Sequence, residues 1–572
     1  MSNSSVFEKT TVAPGKAKHK RKSRYKPRGR QASTRATAEI NQLFEGKSLQ
    51  RDLLIENLHI LQDEFGYLDT DHLAALAELM RLPLSEIYEV ATFYHNFTVH
   101  ESTQEAPRLT VKVCDSLSCA LRGSAQLQHE LSNAFDGQVK VTHGACMGRC
   151  NLAPIVRIEN QYISQATIDA SANAIKKRLS GHEHTGPEHD SLSLTDYLEK
   201  GGYRILKDLY ARRTTPAKII EELKESGHRG LGGAGFPHAM KINSVLSIDG
   251  PRLMAVNADE SEPGTFKDRY YMNTNPHQFL EGMFIGAELV EAEEIYIFLR
   301  DEYPDTAQIL KSALSDAEIA GLNNGRRVHL RRGAGAYICG EESAMLESIE
   351  GKRAYPRQKP PFPAHVGLFN RPTLINNVET LYWLPQILEK GADWYREGGR
   401  SDSQGMRTFS LSGQVKKPGV YRVPAGITAQ ELIDKYGGGM LEGHQFKAYL
   451  PGGASGGMLP AHMADIPLDF GTLEKYGCFI GSAAVIVLSD QDNLKDVCRN
   501  IMHFFEDESC GQCTPCRMGT TKALKLMQAE HWDQDLLTDL SDVMRDASIC
   551  GLGQAAPNVL VSLMKFFPEE LS

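Results

Sequence analysis

Cysteine spacing constrains this chain more than any other feature. Near the end, ESCGQCTPCRMG places Cys510, Cys513 and Cys516 at intervals of three, and Cys550 follows thirty-four positions on. Earlier, four residues separate Cys114 from Cys119, and three separate Cys146 from Cys150. Eight of the eleven cysteines thus fall into two sets of four, and four thiolates are what a structural zinc ion or an iron–sulfur cluster requires. Zinc sites usually offer two separated C-x2-C pairs. Three cysteines in one run with a distant fourth suit the corners of a cubane better, so the last set reads as a [4Fe–4S] site. The x4/x3 set is less decisive; it fits [2Fe–2S] and leaves zinc open. Cys339, Cys478 and Cys498 stand among apolar residues and read as core thiols.

A chain of 572 residues exceeds one core and implies several domains. The longest apolar run, about 478–488, is too short to cross a bilayer and reads as a buried strand. No apolar stretch follows the polar first residues, so the expectation is a cytoplasmic protein without a membrane anchor. In that compartment cysteines bind metal or stay free. Residues 1–36 carry eleven Lys and Arg against one acid, Glu8, leaving the remainder near −19 of a net −9. Such a tail (1–40) reads as disordered, or as a segment that folds onto an acidic partner subunit. With only Phe7 and Tyr25 to stack on bases and no binding fold following, nucleic acid is not expected.

Five pieces and one linker follow the tail. Leu54, Leu58, Leu61 and Phe65 recur at helical spacing and open a helical bundle (41–100), with Thr70 and Ser85 as expected N-caps. RLTVKVCD and GQVKVTHGAC read as two short buried strands ending at cysteines, with a helix between them (101–180). A polar linker (181–196) holds three histidines without regular ligand spacing. Residues 197–404 alternate strands and helices, the pattern of an α/β domain. In 405–490 a hairpin and a capped helix suggest a β-grasp module, and 491–572 is helical.

The α/β piece is rich in glycine loops. Gly230, Gly232 and Gly235 match G-x-G-x-x-G, yet a helical stretch precedes them, whereas the dinucleotide fingerprint must follow a strand. Those glycines say instead that backbone approaches a ligand closely, with Lys241 as a phosphate counter-charge. NADESEPGTFKD, at the end of the strand RLMAVN, adds Asn257, Asp259, Glu260 and Glu262 where α/β sheets bind ligands. GAGAYICGEES supplies Glu341 and Glu342, and RQKPPFP supplies Lys359 and Phe362.

RGLGGAGFP, NADESEPGTFKD, GAYICGEES, KPPFP with NNVET, and ESCGQCTPC, in that order, resemble the NADH-binding flavoprotein subunit of complex I. Residues 41–175 resemble the thioredoxin-like [2Fe–2S] subunit that partners it. The resemblance implies a multidomain α/β protein. Its parts are a helical bundle with a thioredoxin-like ferredoxin domain, a Rossmann-like FMN/NAD domain, a β-grasp (ubiquitin-like) domain and a C-terminal helical bundle holding a cluster. It implies FMN held by Gly230, Gly232, Gly233, Lys241, Asn257, Asp259, Glu260, Asn376 and Asn377, with Tyr337, Gly340 and Glu341 completing the pocket. NAD(H) lies with its adenine against Phe236 and Phe362, and with Glu262, Glu342 and Lys359 on the nucleotide side. Cys510, Cys513, Cys516 and Cys550 hold [4Fe–4S]; Cys114, Cys119, Cys146 and Cys150 hold [2Fe–2S]. No side chain is expected to act as a proton-transfer catalyst.

Leu231 stands where the family has arginine, His238-Ala239 where Thr-Gly is usual, and Ile242 where a tryptophan follows the lysine. These departures are expected to touch NAD(H) affinity and to thin the aromatic wall near the adenine. RGLGG, DESCGQCTPCR and CGLGQAAPN resemble the β subunits of cytoplasmic NAD-dependent molybdenum or tungsten formate dehydrogenases. A large pterin-bearing α subunit with further Fe–S clusters is then the expected partner. The alternative is the diaphorase subunit of an NAD-reducing [NiFe] hydrogenase; a complex I flavoprotein and a non-catalytic relay are further readings.

Overall fold

The computed structural model describes residues 29–101, 109–181, 191–400 and 402–571. The tail up to residue 28 and the linker histidines His182, His184 and His189 lie outside the described residues.

Helix begins earlier than the tail boundary of residue 40 implies. Thr34–Leu43 is helical, and the Ser33 hydroxyl accepts from the Ala36 amide as its cap. The periodic leucines form the helix Leu54–Phe65, burying Leu54, Leu58 and Leu61. Both expected caps shift. Asp69, a stronger acceptor than Thr70, takes the Asp71 amide at 2.6 Å and caps Thr70–Met80. The next helix, Leu84–Phe93, starts directly after Pro83, which leaves Ser85 inside the first turn.

The next unit is a four-stranded sheet in the order Lys140–Gly144, Thr110–Cys114, Val156–Ile158, Gln161–Ile163. Its first two strands are parallel and the others antiparallel. Only Thr110–Cys114 matches the expectation of two buried strands. Lys140–Gly144 is an edge strand with one neighbour and is only partly buried.

The α/β unit is a parallel sheet ordered Thr373–Asn377, Arg252–Ala258, Ala292–Leu299, Arg327–Arg332. Its central strands read as apolar runs because helices cover both faces. Two of those helices, Pro276–Leu289 and Val378–Lys390, meet so closely that a Cβ at Gly282 stands 1.9 Å from the Leu381 carbonyl oxygen. The Gly230–Gly235 loop follows the helix Pro216–Glu225 and enters the helix His238–Leu246, so it is not a strand-to-helix fingerprint.

A five-stranded mixed sheet follows. The hairpin Met406–Gly413 and Gly419–Pro424 precedes a helical turn capped by Thr428 and Glu431, and Met406–Gly413 runs parallel to the last strand, Ala484–Ser489. Four longer helices, Leu494–Asp507, Thr514–Met527, Gln534–Ala547 and Asn558–Phe566, close the chain. Cys339, Cys478 and Cys498 are core thiols as expected, each 1% exposed. Among the described residues no helix is long and apolar enough to cross a membrane.

Candidate functional site

Two hollows open at the carboxyl ends of the parallel strands. Asn257, Asp259, Glu260, Glu262, Tyr337 and Glu341 line one of about 480 Å³. Gly230, Phe236, Lys241, Glu342, Lys359, Phe362 and Asn376 line the other, of about 550 Å³. Gly232, Gly233, Gly340, Asn257 and Asn377 line both, so these are two compartments of one cleft. Every residue singled out in sequence for flavin or nucleotide borders it.

The glycine loops leave the cleft open. A Cβ at Gly233, where φ is +151°, meets nothing within 4 Å, and one at Gly340 meets only the Asp259 carbonyl at 3.7 Å. Side chains there would occupy space that the backbone leaves for a ligand. Gly232 is also tight on its other side, since an added Cβ would stand 2.9 Å from Cβ of Asn377.

Lys241 brings an ammonium group to the second compartment. Its Nζ donates to the Ile375 carbonyl at 3.1 Å and lies 3.8 Å from Glu342. Burial pushes its pKa below the ordinary lysine value, and Glu342 opposes that shift. Lys359 donates at 2.8 Å to both Glu341 and Glu342. Glu262 sits apart from these nucleotide-side groups, buried in the first compartment and accepting the Ser455 amide at 2.9 Å. Glu341 also caps its own helix, accepting the Ser343 and Ala344 amides at 2.9 Å. Glu260 accepts the amides of Asp268 and Arg269 at 2.7 and 3.1 Å. Burial, with Asp268 beside it, pushes Glu260 up to about 7. Burial likewise holds Asp259 well above the carboxylate range.

Two of the departures from the family turn away from the cleft. Leu231 and Ile242 are 4% and 0% exposed within the α/β core, so their side chains build packing and not the cleft wall. His238 does border the cleft and shares a 2.9 Å hydrogen bond with Asn376.

Sequence reading missed a buried ion network. Lys267, 1% exposed, lies 2.9 Å from Asp268 and 2.8 Å from Glu379, and Asn377 donates to Asp268 at 2.5 Å. Its members stand in two quoted motifs, GTFKD and NNVET, but nothing in either string says that they pair.

Cys510, Cys513, Cys516 and Cys550 line one small hollow, together with Ile338 and Leu552. Ile338 and Leu552 also line the 480 Å³ compartment, so a single apolar wall divides the thiols from the cleft. Cys513 directly precedes the helix Thr514–Met527, whose amino end favours negative charge. Cys114, Cys119, Cys146 and Cys150 are all at most 5% exposed, with the Cys146 and Cys150 sulfurs 3.5 Å apart. Phe266, next to Lys267, packs on that pair. Among the described residues no three His, Cys, Asp or Glu side chains converge on a single-ion site. The last set of thiols shares one small hollow of about 10 Å³. A further cavity, about 750 Å³, runs past Cys146 and meets the first compartment at Ser261 and Tyr337.

Known families divide the chain in the same way. Residues 40–179 match the thioredoxin-like [2Fe-2S] ferredoxin family, and residues 223–386 the Nuo51 FMN-binding domain. Residues 408–459 match the SLBB domain, and 496–572 the NADH-ubiquinone oxidoreductase-F iron-sulfur binding region. A subunit of the NADH-quinone oxidoreductase of Rhizobium meliloti (strain 1021) is 43% identical over 396 residues, covering 67% of this chain and 94% of its own length. The chain belongs to the family of that NADH-quinone oxidoreductase subunit. It is an oxidoreductase subunit with an FMN-binding domain, a [2Fe–2S] ferredoxin domain and a [4Fe–4S] region. The NADP-reducing hydrogenase subunit HndC of Solidesulfovibrio fructosivorans is 37% identical over 67% of this chain and 80% of its own. A solved NAD+-reducing [NiFe]-hydrogenase in the H2-reduced state superposes with a TM-score of 0.81 at 30% identity, covering 92% of this chain and 93% of that one.

Proposed function

We propose that this chain is the diaphorase subunit of a cytoplasmic NAD-dependent formate dehydrogenase, exchanging hydride with NAD(H) and single electrons with a partner subunit. The wall formed by Ile338 and Leu552 carries the reading, because it brings the flavin cleft and the Cys510 hollow to opposite sides of the same two side chains. FMN supplies, when bound, a carrier that exchanges electrons in pairs with nicotinamide and singly with iron–sulfur clusters. The chain's own residues do the rest. Lys241 and the Gly232–Gly233 backbone would neutralise and seat the phosphate, and Asn257, Asn376 and Asn377 would orient the ribityl chain and ring. Phe236 and Phe362, 47% and 52% exposed at the mouth, would flank adenine, with Lys359 and Glu342 fixing the nucleotide. The buried Lys267–Asp268–Glu379 network would hold Asn377 in register.

Formate as the electron source rests on the strings RGLGG, DESCGQCTPCR and CGLGQAAPN. The partner is then a large molybdenum- or tungsten-pterin α subunit. A second reading, the diaphorase subunit of an NAD-reducing hydrogenase, draws support from the 0.81 TM-score over 92% of the chain. Anaerobic purification of the native assembly, with NAD+ reduction assayed on formate and on hydrogen, separates the two. Formate activity with molybdenum or tungsten in a co-purifying large subunit supports the first; hydrogen activity with nickel supports the second. NAD+ reduction by neither donor would refute both.

A further inference from the structure

Arg300, Asp301 and Glu302 directly follow the strand Ala292–Leu299, and all three are buried. Arg300 gives each of its guanidinium nitrogens a different partner. Nη1 donates to the Glu260 carbonyl in the flavin loop and Nη2 to the Cys146 carbonyl in the x4/x3 cysteine set. Nε donates to Glu302 at 3.0 Å. Asp301 accepts from Arg157 of the ferredoxin domain at 3.1 Å and from Arg332 at 2.6 Å. Asn96, at the end of the helical segment, donates to Asp301 at 2.8 Å and to Glu302 at 2.9 Å. Three domains therefore meet on this tripeptide. Of the other guanidiniums nearby, Arg149 lies within the cysteine loop and is paired with Asp305 at 3.2 Å, Arg157 is paired with Asp301, and Arg269 faces Cys150, whereas Arg300 is the one that donates to the Cys146 carbonyl.

We propose that Arg300 raises the reduction potential of the [2Fe–2S] cluster held by Cys114, Cys119, Cys146 and Cys150, and that Glu302 partly offsets it. This rests on the reading of those four cysteines as cluster ligands. Each reduction adds one electron, and so one unit of negative charge, to the cluster. Nearby charge, hydrogen bonding and exposure set how readily it enters, and a buried charge is poorly screened. The guanidinium face that touches Cys146 is positive, while the Glu302 carboxylate stands on the Nε side, so the positive charge is the nearer one. Arg300 is thus a positioning residue with an electrostatic role. It makes this cluster a readier electron acceptor, and it grips the flavin loop through the Glu260 carbonyl at the same time.

The test is an EPR-monitored redox titration of the purified full chain and of R300Q, R300K and E302Q. R300Q is expected to move the [2Fe–2S] midpoint to more negative potential and E302Q to more positive potential. R300K, which keeps the charge, is expected to fall between R300Q and wild type, and the [4Fe–4S] midpoint to stay in place throughout. A merely structural tie would not produce shifts of opposite sign. Unmoved [2Fe–2S] midpoints, or shifts of the same sign in R300Q and E302Q, would overturn the proposal. If R300Q loses the cluster, E302Q decides alone: a positive shift supports the proposal, and no shift or a negative one defeats it. A wild-type chain without a second cluster signal defeats the ligand reading itself, a failure read from iron content and not from midpoints.

Discussion

Lys241→Ala gives the sharpest test of the phosphate assignment. Within the cleft the Lys241 ammonium has one backbone carbonyl at 3.1 Å and one carboxylate at 3.8 Å, and burial lowers its pKa. It is a partly buried cation with donors left over, so an anion seated beside it gains a charge-assisted hydrogen bond. Such bonds contribute about 1.5–3 kcal/mol. At about 1.4 kcal/mol per decade, removing the ammonium should weaken FMN binding roughly 10- to 150-fold. Glu342→Gln should act in the opposite direction, because it takes away the rival carboxylate. The assay is FMN titration into deflavinated protein, followed by quenching of flavin fluorescence, with cluster content checked in parallel. FMN affinity within twofold of wild type in Lys241→Ala would refute the assignment, and weaker FMN binding in Glu342→Gln would refute the charge argument behind it.

Other consequences follow from neighbouring parts of the molecule. Cys513→Ser should abolish the [4Fe–4S] EPR signal and formate-to-NAD electron flow while leaving FMN stoichiometric; loss of FMN as well would make that cluster chiefly structural. Phe362→Ala, removing a half-exposed ring from the cleft mouth, should raise KM for NADH roughly 5- to 150-fold, from a stacking contribution of about 1–3 kcal/mol. FMN retention should not change, and an unaltered KM would remove Phe362 from the adenine site. His228, bonded to Tyr395 and the Thr380 carbonyl, is held by burial at about 4, below its ordinary 6.5. The unfolded chain therefore takes up the proton first, so stability is full above pH 6.5 and falls as pH drops towards 4. At pH 5 the loss from this one residue is about 2 kcal/mol, at ~1.4 kcal/mol per pH unit. Urea midpoints of wild type and His228→Asn at pH 5 and 7.5 check it; equal pH dependence in the two proteins would contradict it.

What the sequence disclosed and what it hid follow from how local each feature is. The last set of thiols was legible as a set because three of them sit within seven residues, and the glycine loops because backbone that approaches a ligand must lack Cβ atoms. The cleft residues came from strings that keep their order along the chain. Contacts between distant strings were not legible. Lys267 and Glu379 each read as a charged motif member, and only the fold makes them an ion pair at 2.8 Å. Arg300 shows the same thing: LRDEYP has no spacing signature, yet it joins three domains. Leu231 and Ile242 lie in the core, and position beside a motif does not say whether a side chain turns to the cleft or to the core. The cap at Asp69 is a one-residue choice between adjacent acceptors, and at Pro83 the helix starts two residues before the expected Ser85 with no side-chain cap at all.

As a diaphorase subunit, this chain would divide an electron pair from NADH among one-electron centres. Anaerobic titration of the purified chain with NADH, followed by flavin absorbance and by EPR of both clusters, tests it most directly. Bleaching of the flavin together with the appearance of reduced-cluster signals, two electrons accounted for per NADH, is the predicted result. A flavin that bleaches while both clusters stay oxidised, or a chain that holds no FMN, would contradict it.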